Sequence, residues 1–229
     1  KGFLVLDNVT AGNHNVVASF PGNDNYAAKD VSKQFAIDQA APAMDIVITP
    51  ASPIAPDTTV TVNVTVGKNA TGSVLVNVSG EIHVVPIDAD GNAVFTLDKV
   101  QPGNYNITAT YNGDKNYNAS SSKESFGVDK FDTPLTFEGI EVTVDNNVTF
   151  VIKMNENATG NVTIMVNGVE KVGTVENGVP RVNVGILTEA TNPNNFTANY
   201  NGDENFKTSS ITVNATMGKL NNATVKVEV

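Results

Sequence analysis

The chain lacks cysteine and tryptophan, and it contains no long apolar run. The absence of cysteine excludes disulfide bonds and thiolate chemistry. No stretch of about 18 apolar residues occurs, so no membrane-spanning helix is predicted. Basic residues are scarce as well, because 14 Lys plus Arg stand against 24 Asp plus Glu, a formal net charge of −10. A nucleic-acid-binding face needs clustered positive charge, so this balance argues against a nucleic-acid partner.

What the chain has in abundance is asparagine, hydroxyl residues and valine. Its 229 residues include 31 Asn and 35 Ser plus Thr, and Val dominates the apolar set. Val and Thr fit a pleated, half-buried surface, whereas Asn favours turns. The composition therefore predicts an all-β protein.

A unit of about 90 residues repeats along the chain. The segment 6–9 recurs at 97–100 and the segment 22–26 recurs at 113–117, each 91 positions later. A third version of the second segment lies at 202–206. In the front halves, Asn-Ala-Thr-Gly begins at Asn69 and again at Asn157, 88 positions later.

These spacings predict the domain organisation. Two copies are complete, at residues 39–129 and 130–218. Residues 1–38 correspond to the C-terminal half of an Ig-like repeat, with about three strands, and residues 219–229 to the first strand of a following repeat. We therefore expect a segment of a longer array, in which another chain or preceding residues complete the half-repeat.

Alternation of apolar and polar residues locates the strands of the copy at 39–129. In the segment 59–66, for example, every Val falls on one face. The predicted strands are 44–49, 59–66, 73–79, 81–87, 93–97, 104–111 and 121–129. Seven antiparallel strands with frequent turns indicate an immunoglobulin-like β-sandwich, so we predict tandem sandwich domains.

One local pattern supports the sandwich. Leu97, Val100, Gly103 and Tyr105 are spaced as in the corner before the sixth strand of Ig-like domains, where a Tyr bonds to upstream backbone. The first copy has His14 at the Tyr position. The third copy departs from the pattern, with Asn192 and Asn194 where Gly and Tyr are expected.

Residues 103–117 read G-x-Y-x-I-T-A-x-Y-N-G-D-x-N-Y, and parts of this motif recur in each copy. In an acidic chain rich in Asn, Thr and Val, this resembles the adhesin-like cell-surface proteins of methanogenic archaea, which carry tandem bacterial-type Ig-like (Big) repeats. The resemblance covers nearly the whole chain. It implies a non-enzymatic extracellular stalk or adhesin segment that projects from an archaeal cell surface or cell wall. It carries over no active site and no ligand.

Two other functions stay open. One is a subunit of an extracellular filament assembled by strand complementation, and the other is a carbohydrate- or protein-binding module that acts through loops at the end of a sandwich. The expected partners are neighbouring copies of the repeat, other subunits of a fibre, and host or microbial surface glycans or proteins.

No catalytic residue and no cofactor is predicted. The two histidines, His14 and His83, occupy unrelated positions of different copies, so strand packing explains them. Lys153 is expected to point outward and Lys68 lies in a turn, which argues against an isopeptide cross-link.

No metal ligand is predicted, although calcium binding at turns stays open. Asp88, Asp90 and Asn92 place three oxygen side chains at alternate positions, but Asp90-Gly91 also favours a tight hairpin, which we prefer. The turns that contain Asp24, Asp114 and Asp203 recur in all three copies.

The strongest modification signal is Asn-x-Ser/Thr, the acceptor motif for N-glycosylation. It occurs about 2.5 times more often than composition predicts, although an outward-facing Asn/Thr strand generates the motif automatically. The candidate asparagines are Asn8, Asn63, Asn69, Asn77, Asn106, Asn118, Asn147, Asn157, Asn161, Asn195, Asn214 and Asn222.

Overall fold

The computed structural model describes residues 3–187, 195–216 and 226–228, and within these residues every regular element is a β-strand. No helix in the described ranges is long and apolar enough to cross a membrane. The chain divides into two compact units. The first comprises Lys1–Ile54, Thr58–Val100 and Asn104–Gly127, and the second comprises Ala55–Asp57, Gln101–Gly103 and Val128–Val229.

The first unit contains a hairpin and two sheets. The antiparallel hairpin consists of β1 (Gly12–Phe20) and β2 (Lys29–Ile37). One sheet has the order β3-β4-β7, with β3 (Asp45–Thr49), β4 (Val60–Thr65) and β7 (Asn92–Leu97). The other has the order β6-β5-β8-β9, with β5 (Ser73–Val78), β6 (Glu81–Pro86), β8 (Gly103–Tyr111) and β9 (Ser120–Val128).

The second unit repeats this pair of sheets. A three-stranded sheet has the order β10-β11-β14, with β10 (Thr136–Val142), β11 (Asn147–Lys153) and β14 (Arg181–Ile186). A five-stranded sheet has the order β13-β12-β15-β16-β17, with β12 (Asn161–Val166), β13 (Val169–Thr174), β15 (Asn195–Tyr200), β16 (Ser209–Thr216) and β17 (Lys226–Glu228). In this unit β17, from the segment predicted to begin a following repeat, pairs with β16.

Alternation explains which strand faces are buried. Val60, Val62 and Val64 on β4 are 0 % exposed, whereas the intervening Thr and Asn residues are only half-buried. In the second unit, Phe150 of the three-stranded sheet meets Phe196 of the five-stranded sheet, with ring centroids 4.6 Å apart. The apolar faces of the two sheets thus share one core, and the prediction of tandem β-sandwiches with seven strands per complete copy is confirmed.

The half-repeat differs from its prediction. About three strands were expected, but among residues 3–38 the structure has only β1 and β2, and residues 3–6 form no strand. Leu6 corresponds to Leu97 on β7, which pairs with Val60 of β4. The described part of the half-repeat offers no counterpart of β4, so its third strand has no partner with which to form a ladder.

One copy shows the bond to upstream backbone that the sequence predicts for the corner. In the half-repeat, His14 Nε2 donates to the carbonyl oxygen of Thr10 at 2.7 Å, and its ring stacks on Phe35. Tyr105 stacks on Phe126 in the same way, with centroids 4.8 Å apart. His14 is therefore a packing residue that also makes the expected bond to upstream backbone. Asn192 and Asn194 lie outside the described residues.

Candidate functional site: an aspartate clasp in each unit

Asp114 closes the turn between β8 and β9. Its Oδ1 accepts hydrogen bonds from the backbone N–H groups of Asn116 at 2.7 Å and Tyr117 at 2.8 Å. Asp favours such turns because its short side chain reaches the backbone two or three residues further on. Gly113 precedes it with φ +83°, and a Cβ there would lie 2.7 Å from the Tyr117 carbonyl oxygen, so the turn requires glycine.

The second carboxylate oxygen of Asp114 reaches a different turn. Oδ2 accepts from both the backbone N–H and the hydroxyl of Thr71, at 2.8 and 2.9 Å. The Tyr111 hydroxyl in turn donates to the Thr71 carbonyl at 3.1 Å. We call this set, Thr71, Tyr111, Asp114, Asn116 and Tyr117, the Asp114 clasp. It ties the turn before β5 to the turn after β8.

The second unit contains the same arrangement. Asp203 Oδ1 accepts from the backbone of Asn205 and Phe206, at 2.8 and 2.7 Å. Its Oδ2 accepts from the Thr159 N–H and hydroxyl, both at 2.8 Å, and Tyr200 donates to the Thr159 carbonyl at 2.9 Å. We call this set the Asp203 clasp. Its recurrence explains why the sequence repeats Asn-Ala-Thr-Gly and Gly-Asp-x-Asn together.

Both clasps shift the acidity of their members. Burial alone would raise the pKa of Asp114, but hydrogen bonds from the backbone of Asn116 and from Thr71 outweigh it and lower that pKa to about 2. Asp203 has a pKa of about 2 for the same reasons, with Thr159 as the donor. Burial, reinforced by the adjacent carboxylates, raises the pKa values of Tyr111 and Tyr200 to about 12.

The clasp turn also holds the segment that leads into its own repeat. In the first unit, the Ala40 N–H donates to the Asn116 carbonyl at 2.8 Å, and the Asn118 N–H donates to the Ala40 carbonyl at 2.9 Å. Ala40 thus forms a parallel bridge with Tyr117, and the Gln39 side-chain amide donates to the Asp114 carbonyl at 2.6 Å. The start of the repeat is fixed to a turn near its end.

The second unit uses equivalent bonds with different side chains. The Phe131 N–H donates to the Asn205 carbonyl at 2.8 Å, and the Lys207 N–H donates back to the Phe131 carbonyl at 2.9 Å. The Lys130 ammonium donates to the Asp203 carbonyl, as Gln39 does to Asp114. Phe131 also contacts the ring of Phe206. The backbone bridge is therefore the shared feature.

The half-repeat has only part of a clasp. Asn23 takes the position of Asp114, and its side-chain oxygen accepts from the backbone of Asn25 at 3.0 Å and Tyr26 at 2.9 Å. Asp24, singled out from the sequence, occupies the position of Lys115, so the oxygen that organises this turn belongs to Asn23. The segment that contains the Thr71 counterpart is not part of this half-repeat.

The turns considered for calcium are organised by hydrogen bonds. Each carboxylate oxygen of Asp114 accepts two N–H or O–H donors, so its lone pairs point at donors. Asp88 Oδ1 likewise accepts from the backbone of Asp90 and Asn92, both at 2.9 Å. A Cβ on Gly91 would lie 2.0 Å from the Gly67 carbonyl oxygen, which accounts for the glycine. This geometry favours the hairpin interpretation of residues 88–92.

The remaining chemical candidates are dispersed. His83 stacks on Phe95 with centroids 5.0 Å apart, and its Nε2 lies 3.7 Å from Glu81. Lys153 is exposed as predicted and lies 3.9 Å from Glu138. Over the described ranges, no three His, Asp or Glu side chains come together in a way that would hold a metal ion.

The glycosylation candidates differ in exposure. Among the described residues, Asn8, Asn69, Asn106, Asn118, Asn157, Asn161 and Asn195 are exposed, whereas Asn63, Asn77 and Asn147 are half-buried. The side chain of Asn214 and the whole of Asn222 lie outside the described residues.

Several of these motifs have a structural role. The hydroxyls of Thr71 and Thr159, which complete the motifs of Asn69 and Asn157, bind the clasp carboxylates. Asn77 Oδ1 accepts from the Gly80 N–H at 2.8 Å and so closes the β5–β6 turn. Turn formation thus accounts for part of the excess of the motif.

Sequence reasoning identified the aspartates but missed their threonine partners. Thr71 and Asp114 are 43 positions apart, and neither residue type alone indicates a contact. One signal could have indicated this contact. Both the Thr and the Asp reappear in the next copy at nearly the same separation, 44 positions.

Residues 47–129 match the bacterial Ig-like domain (group 3). This part of the chain is similar to that family. The match contains β4 to β9 and all members of the Asp114 clasp. No curated protein sequence matches the chain.

Solved structures show likenesses at low identity. A 1.5-MDa bacterial ice-binding adhesin is 16% identical with a TM-score of 0.32, covering 87% of this chain and 71% of its own. A Ca2+-stabilized adhesin of an Antarctic bacterium is 16% identical with a TM-score of 0.30, covering 87% and 55%. Fibronectin(III)-like modules of Clostridium thermocellum CbhA are 12% identical with a TM-score of 0.30, covering 73% and 91%. The chain therefore spans about half the length of the second of these structures.

Proposed function

We propose that this chain is a non-enzymatic segment of an extracellular stalk or adhesin, in which Ig-like repeats follow one another along a surface-attached array. The proposed repeats are 39–129 and 130–218, preceded by the half-repeat 1–38. The archaeal cell-surface setting follows from the sequence resemblance, and the match to the bacterial Ig-like domain is consistent with an extracellular repeat.

The observation that carries the proposal is the repeated clasp. Both units use the same Thr, Tyr and Asp to join two turns, and both attach the incoming chain to the clasp turn by a two-bond bridge. A binding or catalytic site need occur only once, whereas a structural feature that recurs in every unit is what an array of stacked repeats would show. The net charge of −10 adds self-repulsion that keeps such arrays apart.

Single-molecule stretching of the 229-residue chain tests this function. We expect two unfolding events, each releasing about 30 nm of chain, from about 90 residues at roughly 3.6 Å each. Thr71→Val removes the hydroxyl that binds Asp114 and is expected to lower the force of one event only. Thr159→Val is the matched variant for the other unit.

An array without a mechanical role would behave differently. The proposal is wrong if both repeats extend at low force without distinct events. It is also wrong if neither Thr variant changes the rupture force while each lowers equilibrium stability, because the clasp would then bear no load.

We also propose that some exposed Asn-x-Ser/Thr motifs carry N-linked glycans. Asn106 and Asn195 are exposed on β8 and β15, and the motif hydroxyl of Thr108 lies outside both clasps. Peptide mapping by mass spectrometry of protein taken from its native surface tests this directly. Unmodified peptides at every exposed site would contradict it.

A binding function is the second candidate, and one observation favours it. In the first unit, a cleft of about 530 Å³ is lined by Asn8, Asp38, Asn69, Asn116 and Tyr117, among others. Amides, a carboxylate and an aromatic ring suit a carbohydrate or a polar peptide. Glycan-array binding that Asp38→Asn abolishes would establish this function, and no binding to glycans or surface proteins would exclude it.

A further inference from the structure

The outer face of the five-stranded sheet in the second unit has a cleft of about 530 Å³. Its lining includes Thr163, Met165, Glu170, Asn199 and Ser210, and we call it the Thr163 cleft. Val162 and Ile164 are 0% and 1% exposed and face the core, so Thr163 between them points to the opposite side of the sheet. Thr163 is nevertheless only 9% exposed, which places it at the floor of the cleft.

The cleft lies where the two complete repeats differ. Thr163 corresponds to Leu75 of the first unit, since each is the third residue of a six-residue strand. Leu75 is 37% exposed, so its longer side chain stands above the sheet where Thr163 leaves a depression. Glu170 likewise corresponds to Ile82, which is 65% exposed. The second unit thus has a polar cleft where the first has apolar side chains, whereas the clasp recurs in both units.

The polar side chains of the cleft are available to a ligand. Within the described ranges, the side chains of Glu170, Asn199 and Ser210 make no hydrogen bond or ion pair to another residue. By contrast, the hydroxyls of the neighbouring pair Thr197 and Thr212 bond to each other at 2.9 Å. Asn199 lies directly opposite Ser210 in the ladder, so their side chains project side by side from the same face. The cleft therefore offers a carboxylate, an amide and a hydroxyl with unused hydrogen-bonding capacity.

The main chain beneath the cleft is already paired. β12 and β15 are interior strands with a partner on each side, and β16 pairs with both β15 and β17. Their backbone N–H and C=O groups belong to these ladders, so the strands offer no free edge to an added peptide strand. Recognition of a ligand must therefore come from the side chains.

The charge and polarity of the lining restrict the class of ligand. The lining has no Lys, Arg or His and a single carboxylate, that of Glu170, so it suits neither an anion nor a divalent cation. An apolar ligand would leave the amide and the carboxylate unpaired. A saccharide fits, because its hydroxyls donate to Glu170 and both donate to and accept from Asn199. Met165 is 50% exposed and offers an apolar contact for the C–H surface of a sugar ring.

We propose that the Thr163 cleft binds a neutral saccharide. Its volume lies within the range of small-molecule sites. Glu170 and Asn199 bind the sugar hydroxyls, Thr163 forms the floor, and Met165 contacts the ring. This site is separate from the cleft in the first unit, and its saccharide binding is independent of the proposed stalk function.

Titration of the 229-residue chain, produced without glycans, tests the proposal. The probes are the methyl glycosides of glucose, galactose, mannose and N-acetylglucosamine, with methyl glucuronide as the charged counterpart. Amide shifts in proton–nitrogen correlation spectra locate the bound sugar, and we expect at least one neutral probe to shift the resonances of Thr163, Asn199 and Ser210. Methyl glucuronide should bind about 10-fold more weakly, because Glu170 repels its carboxylate.

Two variants test the assignment to this cleft. Thr163→Leu fills the depression with the residue that the first repeat carries, and Glu170→Gln removes the charged acceptor. Each should weaken binding by about 10-fold or more while the spectrum stays that of a folded protein. Leu75→Thr, the reciprocal change in the first unit, is the matched control and should leave the affinity unchanged. The proposal is overturned if no neutral probe shifts these resonances, if either cleft variant binds as the wild type does, or if methyl glucuronide binds as tightly as the neutral sugars.

Discussion

The half-repeat and the complete repeat of the first unit share the turn and strand motifs of the back half but differ in what surrounds them. His14 and Tyr105 both stack on a Phe of the neighbouring strand, and Asn23 and Asp114 both accept two amides of their own turn. Local structure is thus determined by the local motif. The burial of equivalent side chains is not determined by the local motif, because the front-half strands that cover Tyr111 have no counterpart over Phe20.

The repeat sequence contains local turn motifs and also residues that form a core only through contacts between distant segments. Turn motifs act within a few residues, so they form in both copies. The sandwich core requires contacts between segments far apart in the chain, such as Val74 opposite Tyr111, so it forms only where both halves are present.

The largest expected effect comes from truncating the two equivalent aromatic residues. Tyr111→Ala removes a side chain that is 1% exposed and should lower the free energy of unfolding of the first unit by about 3–5 kcal/mol. Phe20→Ala, at 43% exposure, should cost about 1 kcal/mol or less. Chemical denaturation followed by circular dichroism measures both. Equal losses would show that the face of the β1–β2 hairpin that carries Phe20 is covered in solution.

The next effect comes from exchanging the turn residues. Asp114→Asn keeps the oxygen that accepts the turn amides but loses the charged oxygen that accepts from Thr71, so we expect a loss of about 2 kcal/mol. The reciprocal Asn23→Asp should change stability by less than about 0.5 kcal/mol, because its turn has no Thr partner. A stabilisation of the half-repeat by Asn23→Asp as large as the loss in Asp114→Asn would contradict the role given to Thr71.

Acid should weaken the complete repeats selectively. The folded-state pKa values of Asp114 and Asp203 are lowered from 3.8 to about 2, so each clasp contributes its full stability above about pH 4. That contribution is lost as pH falls from about 4 towards 2. Allowing for solvent screening, we expect about 1 kcal/mol per clasp.

Urea unfolding measured from pH 5 to pH 2 checks this dependence, and the Asp114→Asn, Asp203→Asn double variant is the control. The wild-type free energy of unfolding should fall more steeply with decreasing pH than that of the double variant. Parallel curves would show that the carboxylates titrate normally in the folded protein.

The sequence predicted the fold well and the clasp only in part. Alternation in segments such as 59–66 is a local signal that survives in the structure, because the buried valines all lie on one face of β4. The Thr71–Asp114 bond was missed because it joins residues that are distant in the sequence. The third strand of the half-repeat was predicted wrongly for a related reason, since residues 3–6 have strand-like composition but no neighbouring strand.

The smallest expected effect on stability comes from removing the tyrosine hydroxyl of each clasp. Tyr111→Phe removes the hydroxyl that donates to the Thr71 carbonyl at 3.1 Å but preserves the buried ring, so we expect a loss of about 1 kcal/mol. Phe20 already lacks this hydroxyl in the half-repeat, and Phe20→Tyr should therefore be neutral within about 0.5 kcal/mol. Thermal unfolding of the two variants, with Tyr200→Phe as the equivalent change in the second unit, measures the difference. If Tyr111→Phe is neutral and Tyr200→Phe is not, the two clasps differ in a way that their shared hydrogen bonds do not explain.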